Sequence, residues 1–159
     1  MTVSKGTFMQ KVVTPTVAQP FSLKIERLSA GKSELLLAQA DELELRMKVY
    51  AEGGENTLHA HLDHDHSFVV LDGQATFTDS DHNETVVGKY EGIMLPRGTH
   101  YCFCNSGEGN LVILRAGGGH KPQRGWERAI GKTGPATPRI TPENRRSSGV
   151  PVPGEFFGA

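Results

Sequence analysis

An all-β fold, a sandwich or barrel, is what this sequence predicts. The first observation is a series of short apolar segments, each bounded by Gly, Pro, Asn or Asp, at near-regular spacing through the middle of the chain. The second is the segment 42–49, ELELRMKV, which alternates strictly. Leu43, Leu45, Met47 and Val49 fall on one face, and Glu42, Glu44, Arg46 and Lys48 on the other. A period of two marks a half-buried strand. The third is length: 159 residues with 36% apolar content support one domain with one modest core.

In chain order, residues 1–20 lack clear periodicity, contain Pro15 and Pro20, and read as an arm with one edge strand near Lys11–Thr14. Ser22–Leu28 reads as a strand, and Glu34–Leu37 is ambiguous between a strand and a helical turn. After the alternating segment, Gly53-Gly54 breaks the pattern. Strands are then expected at Thr57–His61, Ser67–Leu71, Ala75–Thr78, Thr85–Val87, Ile93–Leu95, Tyr101–Cys104 and Leu111–Arg115. Turns fall between them at Asp72-Gly73, Asp79–Asn83, Pro96–Gly98 and Asn105–Asn110. The barrel is thus bounded at 21–116.

Residues 117–159 form a tail with six prolines, nine glycines, and seven Lys/Arg against three Glu. Such a composition suits a disordered segment. The alternative is an arm that docks Trp126, Ile130 or Phe156-Phe157 on the barrel or on a partner subunit, since a free tail gives aromatic rings nothing to bury against.

A net charge of −1 gives the whole chain no nucleic-acid footprint. No apolar run approaches the roughly 20 residues of a membrane helix, and the first residues lack the pattern of a secretory signal. A cytoplasmic protein with no membrane or nucleic-acid partner is expected. Cys102 and Cys104 lie too close on one strand to pair easily as a disulfide, and buried packing is their default reading.

The strongest chemical signal is LHAHLDHDHSF, with His59, His61, His64 and His66 inside eight residues. Residues i and i+2 of a strand share a face, so His59 and His61 project side by side. A turn over Leu62–Asp65 returns His66 beside them, and three imidazoles then converge on one divalent metal ion with positions left open. Asp63, His64 and Asp65 are expected to be solvated turn residues. The competing reading is a histidine-rich surface loop that binds metal adventitiously. His82 lies in a turn and His120 at the start of the tail, and neither is assigned a role.

These motifs resemble the cupins. That family carries G-x5-H-x-H-x3,4-E-x6-G, and this chain has Gly53, His59, His61, His66 and Gly73 in that spacing, with His66 at the glutamate position. The second family motif, G-x5-P-x-G-x2-H-x3-N, is kept at Pro96, Gly98 and Asn105, with Gly88 or Gly92 leading. Its histidine position falls on Tyr101, and His100 stands one residue early. Neighbouring strand residues face opposite ways, so register favours Tyr101 inward together with Phe103; a bulge would turn His100 inward instead.

The resemblance implies a double-stranded β-helix (jelly-roll) barrel, a metal inside it held by His59, His61 and His66, and a homodimer. Tyr101 becomes a candidate weak metal ligand, substrate hydrogen-bonding group or acid. Arg97, His100 and Phe103 become candidate substrate contacts, with Glu55 and Asn56 at the rim. Arg115 ends an apolar strand, so its charge must emerge at the barrel edge or meet an internal anion.

Three neutral imidazoles leave the ion's charge uncompensated, which favours an anionic or enolisable small molecule. Iron would suit a dioxygenase, and zinc, manganese or nickel an isomerase, lyase or cyclase. Imidazole serves all of these metals. A non-catalytic small-molecule-binding cupin is the alternative, since fold does not imply function.

Overall fold

The structure, a computed structural model, describes residues 16–51, 57–119, 129–131 and 148–159. The expected strand near Lys11–Thr14, the rim residues Glu55 and Asn56, His120 and Trp126 lie outside the described residues. The strands are β1 (Ile25–Ala30), β2 (Lys32–Gln39), β3 (Leu43–Tyr50), β4 (His59–His61), β5 (Asp65–Asp72) and β6 (Ala75–Asp79). They continue as β7 (Glu84–Val87), β8 (Gly92–Leu95), β9 (Tyr101–Asn105), β10 (Leu111–Gly118), β11 (Ala129–Gly131) and β12 (Val150–Phe157). The described residues contain no helix, and so none long and apolar enough to cross a membrane.

Two five-stranded antiparallel sheets, in the orders β2-β3-β10-β5-β8 and β11-β4-β9-β6-β7, face each other. Their inner faces share one core: Tyr50, Phe68, Val70, Leu95, Leu111 and Ile113 from the first sheet meet Ala75, Phe77, Val87, Tyr101 and Phe103 from the second. This is the all-β, double-stranded β-helix architecture the sequence predicts. The chain passes between the sheets at Gly73, whose φ is +80°. A Cβ there would lie 2.7 Å from the Asn110 carbonyl oxygen, so both the backbone angle and the close approach require glycine.

A third layer, the two-stranded sheet β1-β12, covers the back of the first sheet. Ile25 and Leu28 pack there on Met47, Val49 and Val112, with Phe157 against them. Asn110 fastens this layer as a peptide group would. Its Oδ1 accepts from Leu28 N at 2.8 Å and its Nδ2 donates to Leu28 O at 2.8 Å. The end of the tail is therefore a strand docked on the barrel. Pro151 and Pro153 are compatible with β12 because it pairs on one side only, so their missing N–H groups interrupt no second ladder. The second sheet likewise takes an edge strand, β11, from beyond residue 116.

Strand β3 departs from the half-buried expectation. Its apolar face, led by Met47 and Val49, packs outward under β1 and β12. Its charged face turns into the barrel: Tyr50 reaches Phe103 of the opposite sheet, with ring centroids 5.2 Å apart, and Glu44 is fully buried. Charges tolerate such a place only when paired. Glu44 accepts from Arg46 Nε at 2.8 Å and closely from Arg115 Nη2. Arg115 thus meets an internal anion.

Candidate metal centre

The inner surface has two halves. Phe68, Phe77, Phe103, Tyr50 and Ile113 fill one with aromatic and aliphatic packing. The other carries His59, His61, His64, His66, Tyr101, Glu44 and Arg115. Strand β4 lies between β9 and β11, with His59 opposite Tyr101 and Gly131, and His61 opposite Ala129. The register of β5 sets His66 opposite Leu95 on β8 and Gly117 on β10.

His64 corrects the expectation of a solvated turn residue: only 6% of it is exposed. The physical reason is strand periodicity. His64, His66, Phe68 and Val70 follow one another at i, i+2, and all four point inward. Asp65 and Ser67, between them, face the other way.

Three ring nitrogens, one each from His61, His64 and His66, lie within 4.8 Å of one another. The rings of His61 and His66 are 4.2 Å apart, and that of His64 is 5.0 Å from His61 and 4.7 Å from His66. His59 stands at the side of this group, 5.0 Å from the His61 ring and 4.5 Å from the Tyr101 ring. The compact group is therefore His61, His64 and His66, with His59, which the sequence sets beside His61 and His66, adjoining it.

His59 donates from Nδ1 to the Thr57 carbonyl oxygen at 2.6 Å, since a carbonyl can only accept. That bond fixes its tautomer and leaves Nε2 with its lone pair. His66 Nδ1 lies 3.3 Å from the Tyr101 hydroxyl.

Burial, reinforced by the charges of neighbouring groups, disfavours protonation throughout. It pushes the His61 pKa down to about 3, helped by His59, His64, Arg115 and Lys48. It pushes His66 down to about 2, helped chiefly by Arg115. His59 and His64 are lowered as well, again mainly by burial. Neutral imidazoles are the form that binds metal. His61 Nδ1 and His66 Nε2 are buried with no hydrogen-bond partner among the described residues. Buried polar atoms are seldom left so. A cation held by these nitrogens satisfies them, so the donor set fits a borderline divalent metal ion.

Tyr101 is inside, 4% exposed, and burial raises its pKa further, so it is a neutral hydroxyl at any ordinary pH. His100 precedes β9 and is half-buried. Phe103 lies one inward step beyond Tyr101, in the aromatic floor, with its ring 5.1 Å from Phe77. Arg97 is exposed and held by Asp65 of its own chain, through its backbone N at 2.8 Å and Nη2 at 3.1 Å. It sits on the outer side of the histidine turn rather than among the imidazoles.

The fold is a double-stranded β-helix barrel whose inner polar half carries a candidate metal site. Residues 46–116 match the Cupin domain family model. A cupin superfamily protein from Desulfitobacterium hafniense is 20% identical, with 61% of this chain and 84% of that one covered and a TM-score of 0.52. A conserved protein with a double-stranded β-helix domain from Klebsiella pneumoniae is 13% identical, covering 58% and 81%, at a TM-score of 0.53. KdgF from a Halomonas species is 15% identical, covering 57% and 82%, at 0.52. At such identities the likeness is one of fold. A search of the curated proteins finds no relative.

Proposed function

We propose that this protein is a metal-dependent enzyme acting on an anionic or enolisable small molecule inside the barrel. The observation that carries the reading is the convergence of three neutral imidazole nitrogens, within 4.8 Å of one another, beside a buried phenol. His61, His64 and His66 hold the ion, and His59 offers Nε2 as a further donor. A divalent ion there supplies Lewis acidity, polarising a substrate oxygen or lowering the pKa of bound water, or redox chemistry if it is iron.

The chain's own residues do the rest. Tyr101 stays protonated and so donates a hydrogen bond to a substrate oxygen, or moves a proton to it. The apolar floor of Phe68, Phe77 and Phe103 excludes water beneath the site. Iron would direct this site toward a dioxygenase, and zinc, manganese or nickel toward an isomerase, lyase or cyclase. Exposed Leu35 and Leu43, on the outer face near the β2 edge, support a homodimer as the assembled form.

One observation favours the non-catalytic alternative. With His59 included, four imidazoles are at hand, and four nitrogen ligands fill a tetrahedral ion. The test is deuterium exchange at the acidic carbon of small keto acids, followed by NMR on the metal-loaded protein, with oxygen uptake measured beside it. An enzyme gives saturable exchange or uptake that falls roughly tenfold or more in Tyr101→Phe while metal content is kept. Saturable binding with neither reaction in any metal form assigns the protein to the binding class.

A further inference from the structure

The charged face of β3 does more inside the barrel than neutralise itself. Five side chains form one continuous chain of alternating sign: Arg115, Glu44, Arg46, Glu34 and Lys48. Three cations face two anions, so the chain is one positive charge in excess. Its side-chain exposure falls from 38% at Glu34 through 25% at Arg46, 16% at Lys48 and 10% at Arg115 to zero at Glu44. Glu34, the most exposed member, stands on the open β2 edge of the first sheet, and the two ends of the chain, Arg115 and Lys48, are both more buried. These two ends both carry positive charge that disfavours protonation of His61 and His66.

Glu34 is the odd member. Its Oε1 accepts from Arg46 Nη1 at 2.6 Å and its Oε2 from Lys48 Nζ at 2.7 Å, so one planar carboxylate bridges two cations. It is also the most exposed member, and it stands on an edge strand. Glu44, by contrast, is locked in by complete burial. Rotating Glu34 into water restores its hydration but gives up both of its ion pairs. Arg46 then keeps Glu44 as its partner, while Lys48, 16% exposed, is left to take another anion.

We propose that the Arg46–Lys48 pair is the carboxylate-binding subsite of this barrel, and that Glu34 is a resident stand-in which a substrate carboxylate displaces. The inference deepens the proposed function and rests on it for calling the bound molecule a substrate. The subsite itself uses no metal ligand. The ligand class is accordingly a small carboxylic acid.

The test is calorimetric titration of the full chain with malonate, and with neutral malonamide and inorganic phosphate as comparisons. The same titrations are run on a His61→Ala/His66→Ala chain, in which anion binding through a metal is removed. Expected are saturable malonate binding, none by malonamide, and weaker binding by phosphate. Glu34→Gln, which removes the competing charge, should tighten malonate at least threefold. Lys48→Met should weaken it at least tenfold, and Lys48→Arg, which keeps the charge in place, should retain it. The pattern should persist in the double histidine variant.

Equal binding of malonamide, tighter binding of phosphate, no malonate binding, or indifference to Glu34→Gln and Lys48→Met would each overturn the assignment. Loss of malonate binding in the folded double histidine variant alone would place the anion on the metal. That result overturns the subsite while leaving the metal reading intact.

Discussion

His64 shows how much one side chain decides. In the sequence it looks like part of a turn, yet His64 and His66 stand at the same i, i+2 spacing as His59 and His61. His64 stands one residue before β5, yet it is buried on the inward side it shares with His66, and this separates it from a solvated turn residue. If the triad is as described, His64→Ala lowers metal affinity roughly tenfold or more in a competition titration with a chelator. A solvated turn residue would leave it unchanged. The depressed pKa values of His61 and His66 have a second consequence. In the unfolded chain both titrate near 6.5, and in the folded one near 3 and 2. Between those limits the unfolded state binds more protons, so stability rises with pH up to about 6.5 and is lost as pH falls through the window. Metal-free protein should therefore denature progressively more easily below pH 6.5, by at most about 1.4 kcal/mol per pH unit for each histidine. Urea titrations from pH 4 to 8 measure this, and His66→Gln should flatten the slope.

At the scale of elements, β3 is where pattern and structure part. Its alternation was legible and its boundaries came out nearly as read, but alternation alone does not say which face meets the core. Both faces of β3 are covered, the apolar one by β1 and β12 and the charged one by the barrel interior. The sequence hides this because the covering strand β12 lies in a segment rich in Pro and Gly, whose β character depends on tertiary pairing with β1. The buried charges on β3 set a stability prediction. Arg115→Met leaves Glu44 buried beside Arg46 alone and should cost about 3 kcal/mol or more in denaturant unfolding. The double change Glu44→Leu/Arg115→Met removes both charges and should recover part of that loss. Costs that simply add would mean the two side chains are not coupled.

For the whole molecule, the positions of most strands and the inward direction of Tyr101 were legible because each rests on period-two spacing and on turn residues. Gly73, Pro96, Gly98 and Asn105 mark corners that the backbone must make. The lumen's charged wall was legible only at Arg115, since an arginine closing an apolar run asks for an anion. Arg46 and Lys48 gave no such signal, because charged residues alternating with leucines read as a solvated face. The account as a whole stands on a metal ion held inside the barrel by the histidines. The direct test is elemental mass spectrometry of untagged protein purified without added metal, beside a His61→Ala/His66→Ala variant shown to be folded. Near one ion per chain in the wild type, lost in the variant, is the predicted result. Little metal in the wild type, or equal metal in both, would contradict the account and leave the imidazoles as a buried polar cluster in an otherwise structural barrel.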